Sequence, residues 1–256
     1  MNRNSGYIDG IYNYCDRWCE RCTFTSRCRN FEGIRNLSPE EQDIENKAFW
    51  DRIGKNFETA TTILHKAATK FGIDLDAISE SEKNKLLAKK NKGRNAAKNH
   101  PLAKLTLDYI QKGKALLENE QLMKRRGDEI VSQVEMGMMS EDQAMGEVSV
   151  LEDCHEIITW YLHFIHVKFM RALMGNMDDD GWQEANGFQR DCDGSAKIAI
   201  ISIDKSIEAW TLMLHFLPSA EDEIIELLAI LQKARRMAEL EFPKAKTFIR
   251  PGFDAP

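Results

Sequence analysis

Apolar residues return along this chain at the spacing of a helix. Between Ser38 and Gly72, residues Phe49, Ile53, Phe57, Leu64, Ala67 and Phe71 follow a period of about 3.6, and stretches 101–126, 140–174, 194–217 and 219–241 repeat the pattern. Several starts bring their own capping chemistry. Ser38-Pro39-Glu40-Glu41 offers a serine cap, a proline at the first helical position and a glutamate three residues on. Ser79 with Glu82, Ser140 with Gln143 and Ser219 with Asp222 repeat or approximate that box. No segment alternates as a strand does. The β-branched run from Ile198 to Ile203 lies inside a helical pattern that continues to Leu217. The expected fold is therefore all-α: a multi-helix bundle carrying a short N-terminal four-cysteine module. Asn176 to Gly194, with three consecutive aspartates and three glycines, reads as a long loop, and the proline-containing tail from Phe242 reads as extended. The expected division is 1–36 for the cysteine module, 37–241 for the bundle and 242–256 for the tail.

Composition narrows the class. The 256 residues carry 35 Lys+Arg against 41 Asp+Glu, a formal charge of −6, and 43% of them are hydrophobic. This is a globular balance that excludes general disorder, and 6 Pro with 15 Gly exclude a collagen-like chain. Met1 to Gly6 show no apolar leader, and no apolar run approaches the roughly 18 residues of a membrane span. A cytoplasmic location, away from membranes, is expected. Against the acidic whole, residues 83–104 hold eight Lys/Arg and no Asp or Glu. Such a stretch can meet phosphate, so a nucleic-acid partner is one reading; the absence of aromatic residues for base stacking favours a solvated helix instead.

The six cysteines are unevenly placed. Cys15, Cys19, Cys22 and Cys28 fall within 14 residues, in the spacing C-x3-C-x2-C-x5-C, whereas Cys154 and Cys192 stand alone. Without a secretion signal, four clustered thiols read as metal ligation before disulfides. They can complete a zinc tetrahedron or hold one [4Fe-4S] cluster. On a straight helix Cys15 and Cys22 would lie about 10 Å apart along the axis, which suits the larger cluster better than a single zinc; a bend would admit either. The ending C-x2-C-x5-C resembles the [4Fe-4S] loops of endonuclease III-type glycosylases and of WhiB-like regulators. That resemblance covers about 14 residues and implies the cofactor, not the activity.

Two helices reserve narrow strips for polar residues. At about 100° per residue, Glu152, His155, Glu156, Thr159, His163 and His166 share one strip, and Lys197, Asp204, Glu208, Thr211 and His215 share another. Glu152-x-x-His155 resembles the Glu-x-x-His of ferritin-like di-iron bundles, which implies a metal facing i and i+3. These are ligand types suited to iron, manganese or zinc. The expectation is that Glu152, His155, Asp204 and Glu208 converge on one or two ions, with His163, His166 and His215 as further ligands or supports. Two ordinary solvent faces would produce the same pattern. Finally, Arg94 to His100 resembles the Arg-x4-6-His motif of HEPN ribonucleases, although Pro101 favours an extended backbone at His100.

The function expected is a metalloprotein with a [4Fe-4S] cluster, and with it a carboxylate/His site, doing redox or metal-dependent enzymatic work with a redox partner protein. Its organisation resembles that of rubrerythrin-like proteins. The alternative is a zinc-stapled helical protein that binds a protein or nucleic acid without catalysis.

Overall fold

In the computed structural model, residues 6–72, 74 and 79–254 are described; the opening residues 1–5 and the final Pro256, both used above, lie outside this set. Among the described residues there are ten α-helices and no strand. They are α1 (Arg29–Arg35), α2 (Pro39–Gln42), α3 (Lys47–Lys70), α4 (Glu80–Asn99), α5 (Pro101–Leu117), α6 (Glu120–Glu135), α7 (Glu141–Met177), α8 (Trp182–Ala185), α9 (Asp191–Phe216) and α10 (Glu221–Glu241). None of these helices is long and apolar enough to cross a membrane.

By internal contacts the chain divides into two compact units. One holds Met1–Asn13, Arg17–Lys92 and Pro251–Phe253; the other holds Tyr14–Asp16, Gly93–Arg250 and Asp254–Pro256. The boundary falls inside α4 and not at residue 36. The reason is burial: α3 and α4 each bury a single residue, Ala68 and Ala97, so neither brings a core face to a bundle.

The larger unit is built on α5, α7, α9 and α10, with α6 against α7. Its centre is the point where four helices meet at Gly113 of α5. A Cβ there would lie 2.8 Å from Leu162 of α7 and 3.8 Å from both Trp210 of α9 and Leu227 of α10. Trp210 is fully buried and donates its indole N–H to the Tyr109 hydroxyl at 3.1 Å, so its one polar atom is satisfied. Burial pushes the Tyr109 hydroxyl pKa up to about 12. Ile158, Ile165, Phe169, Ile203 and Ile224 complete the dry centre.

The capping boxes hold at Ser79, where Glu82 N–H donates to Oγ and Glu82 Oε2 accepts from Ser79 N–H, and at Ser140 with Gln143. At Ser38 the box forms, but α2 stops at Gln42 and Asn46 caps the long α3 anew. Ser219 caps nothing; a 3-10 turn over Pro218–Ala220 leads into α10. The stretch 101–126 is two helices, because Asn119 caps α6 through Leu122 N–H. The tail is not extended: Phe242, Ala245 and Phe248 are buried along a turn-rich path.

Gly113→Val should cost about 1–3 kcal/mol in urea unfolding, because branched bulk meets three helices at once. Gly113→Ala should fall within about 1 kcal/mol of wild type, since its helix-propensity gain offsets moving the Leu162 tip.

Candidate metal centre

The residues before and after Cys15 are fixed to the larger unit. The Tyr14 hydroxyl donates to Asp191 Oδ1 at 2.8 Å, and Arg171 clamps the same carboxylate with bonds of 2.7 to 3.2 Å. The Tyr14 ring packs edge-on against Phe248, at 4.7 Å between centroids. Gly194 makes room for both rings, since a Cβ there would lie 2.5 Å from Tyr14 and 2.6 Å from Phe248. Burial, then the bond to Asp191, raises the Tyr14 pKa well above the usual tyrosine range. On the other side of Cys15, Asp16 Oδ2 accepts from the Tyr161 hydroxyl at 2.7 Å and from Lys205 at 3.1 Å, while its carbonyl accepts the Trp160 indole N–H. Cys15 therefore sits between two anchors, neither of which its spacing announces.

Arg17 is the only non-glycine residue among those described with positive φ, at 60°. That left-handed step breaks the straight helix on which the axial distance from Cys15 to Cys22 rested, so the argument against a single zinc falls away. Beyond it, Cys19–Arg21 form a 3-10 turn with Cys22 as its cap, and the Cys22 N–H donates to the Cys19 carbonyl at 3.2 Å. Residues i and i+3 of such a turn eclipse one another, which puts Cys19 and Cys22 on one side. Cys22 Sγ accepts the Phe24 N–H at 3.4 Å. A second 3-10 turn, Thr25–Arg27, delivers Cys28, which opens α1.

Within the smaller unit, residues 17–28 are packed by few apolar side chains. Ile8 N–H donates to the Arg27 carbonyl at 3.0 Å, Phe24 packs on Phe253 at 5.0 Å, and Gly252 lies against Ile8 and Ile11 where a Cβ would come within 2.9 Å. Arg21 covers the ring of buried Trp18 at 4.1 Å. Among the described residues of this unit only Ile11, Trp18 and Ala68 are buried apolar side chains. Cys15, Cys19, Cys22 and Cys28 are half-buried, and none is in a disulfide. As the side chains stand, no three His, Cys, Asp or Glu among the described residues are gathered into a metal-holding set. The donor chemistry suits zinc or iron–sulfur, and occupation would have to draw the thiols together.

The expected carboxylate/His centre in the bundle is not assembled. Glu152 and His155 are exposed and line a groove of about 560 Å³ between α6 and α7. Its nearby cation, Arg126, is already bonded to Glu147 at 2.7 Å and to Glu129 at 3.0 Å. Asp204 lines a different groove, on α9 and α10, and pairs with Arg235 at 2.7 Å. Glu208, His163 and His215 are exposed. His166 turns inward but meets Thr106 Oγ1 at 2.8 Å; burial, then the neighbouring His163, lowers its pKa. Lys197, considered as a counter-charge for the strips, pairs with Asp254 at 2.8 Å instead. Most residues of these strips face solvent, and Asp204 is matched by Arg235 of α10.

His100 of the Arg-x4-6-His stretch is a helix cap: its extended backbone precedes Pro101, its Nδ1 accepts the Leu102 N–H at 3.2 Å, and Nε2 lies 3.7 Å from Glu241. The eight basic residues of 83–104 are all exposed. Cys192 is buried, with its thiol pushed up to about 11 by burial and then Asp193, which disqualifies it as a nucleophile.

Asp16→Ala should cost about 1–3 kcal/mol in urea unfolding, because the buried Tyr161 hydroxyl loses its acceptor. In a Tyr161→Phe background the same change should cost less, and equal costs in both backgrounds would refute the coupling. No family model matches this chain, and neither a curated protein nor a solved structure matches it.

Proposed function

We propose that Cys15, Cys19, Cys22 and Cys28 hold one metal centre, an iron–sulfur cluster of the [4Fe-4S] type, and that the chain serves one-electron transfer with a protein partner. The observation that carries this reading is that four half-buried thiols, none in a disulfide, fall within 14 residues, and that three of them, Cys19, Cys22 and Cys28, belong to a unit that buries only three apolar side chains among its described residues. A unit so poor in core draws its stability from elsewhere, and metal ligation is the chemistry its residues supply. Successive tight turns present the thiols of Cys19, Cys22 and Cys28 near their caps. The resemblance of C-x2-C-x5-C to known cluster loops selects iron–sulfur over zinc. When bound, the cluster supplies a reversible one-electron couple.

The left-handed step at Arg17 favours a second reading, structural zinc in a helical interaction protein, because it removes the axial separation that counted against a single ion. In that case the exposed basic face of α4 is the surface for nucleic acid, and replacing Lys89, Lys90, Lys92 and Arg94 with Gln should abolish a strongly salt-dependent affinity.

Anaerobic purification followed by iron, zinc and acid-labile sulfide analysis separates the two. The first reading predicts about four irons and four sulfides per chain. It also predicts their loss, with faster proteolysis within residues 6–36, when any one of the four cysteines becomes Ser. Zinc without sulfide overturns it in favour of the second. Wild-type metal content in the quadruple Ser variant overturns both.

A further inference from the structure

The helix α3 carries a bulky apolar face that the chain itself leaves open. Trp50 is 57% exposed, Phe57 70%, Ile63 62%, Leu64 57% and Phe71 74%. Together they present on the order of 600 Å² of apolar surface, beyond what a monomer usually leaves contiguous and close to the ~800 Å² per partner of a standard interface. The positions alternate three and four apart. Trp50, Phe57, Leu64 and Phe71 fall at one heptad position, and Ile53, Ala60 and Ala67 at the other. Charges keep away from this seam: Asp51, Arg52, Lys55, Glu58 and Lys66 sit on the remaining faces, and the flanks beside it are mostly uncharged, with Gly54, Asn56, Thr61 and Ile63.

We propose that this face is a homodimer interface in which α3 pairs with α3 of a second copy, antiparallel, as a short two-stranded coiled coil. The alternation of large and small residues selects both occupant and direction. An antiparallel two-fold axis through the middle of α3 sets Trp50 against Ala67 of the partner subunit, Phe57 against Ala60 of the partner subunit, and Ile53 against Leu64 of the partner subunit. Every layer then has a similar total volume. Parallel pairing would instead stack tryptophan on tryptophan and phenylalanine on phenylalanine, with alanine pairs leaving voids between them. A flat lipid surface would accept the apolar face but gives no reason for the alternation. Trp50 is pre-organised for such packing, since its indole N–H donates to the Ile44 carbonyl at 2.8 Å.

The test uses the full chain in sedimentation equilibrium and with a short amine cross-linker. Wild type should be a dimer that yields a Lys47–Lys70 cross-link. These lysines lie about 35 Å apart along one helix but at the same level in the antiparallel pair. Phe57→Glu should weaken dimerisation at least about 100-fold with helicity unchanged by circular dichroism. Phe57→Ala and Ala60→Phe should each weaken it, and the double swap should restore it, because large again faces small. A monomer at every accessible concentration overturns the proposal, as does a dimer unaffected by Phe57→Glu. A Lys47–Lys47 link without Lys47–Lys70 overturns the antiparallel pairing. A monomer that binds neutral phosphatidylcholine vesicles through α3 overturns it in favour of a lipid surface.

Discussion

Four helices meet at Gly113, where the lack of a side chain leaves room for the tip of Leu162. Leu162, Trp210 and Leu227 fill the space from three directions, and each buried side chain contributes about 1.5–3 kcal/mol relative to exposure. The helices α7 and α9 also pack extensively on one another, and those two helices supply the polar groups that hold Tyr14 and Asp16. Tyr161 and Lys205 reach Asp16, while Arg171 and Asp191 reach Tyr14. Side chains of the bundle thus hold the residues on either side of Cys15 within the larger unit.

The smaller unit follows a different economy of structure. Its longest helix shows its apolar residues to the outside, and its described residues bury three apolar side chains, far too few for an independent hydrophobic core. Two kinds of compensation suit such a unit: thiol ligation of a metal, which couples binding to folding, and association that covers an apolar helix. The proposed cysteine centre would supply the first and the proposed α3 pairing the second. The two lie in separate stretches of the chain.

Much of the helical fold was legible in the chain. Periodicity and capping signals located most helices, because those signals act within a few residues of where they stand. The failures are cases of tertiary context overriding local pattern. Ser38 forms its capping box, yet the chain turns after Gln42 and restarts at Asn46. The tail from Phe242 looked extended through its prolines, but Phe242 and Phe248 are buried and hold it to the larger unit. The polar strips of α7 and α9 carried the right ligand types. Whether such strips face each other depends on helix rotation, which no residue spacing fixes, and here Arg235 takes Asp204 while Glu152 faces the α6–α7 groove. The anchors Tyr14 and Asp16 bond residues more than 140 positions away and left no signal beyond their adjacency to Cys15.

X-ray absorption at the iron and zinc edges of the anaerobically purified chain reads the occupant of the four cysteines. An iron edge with a shell of sulfur alone and a second shell of iron, the signature of a thiolate-held cluster, is the expected result. Zinc without iron, a metal bound through nitrogen or oxygen, or no metal on the chain would contradict it.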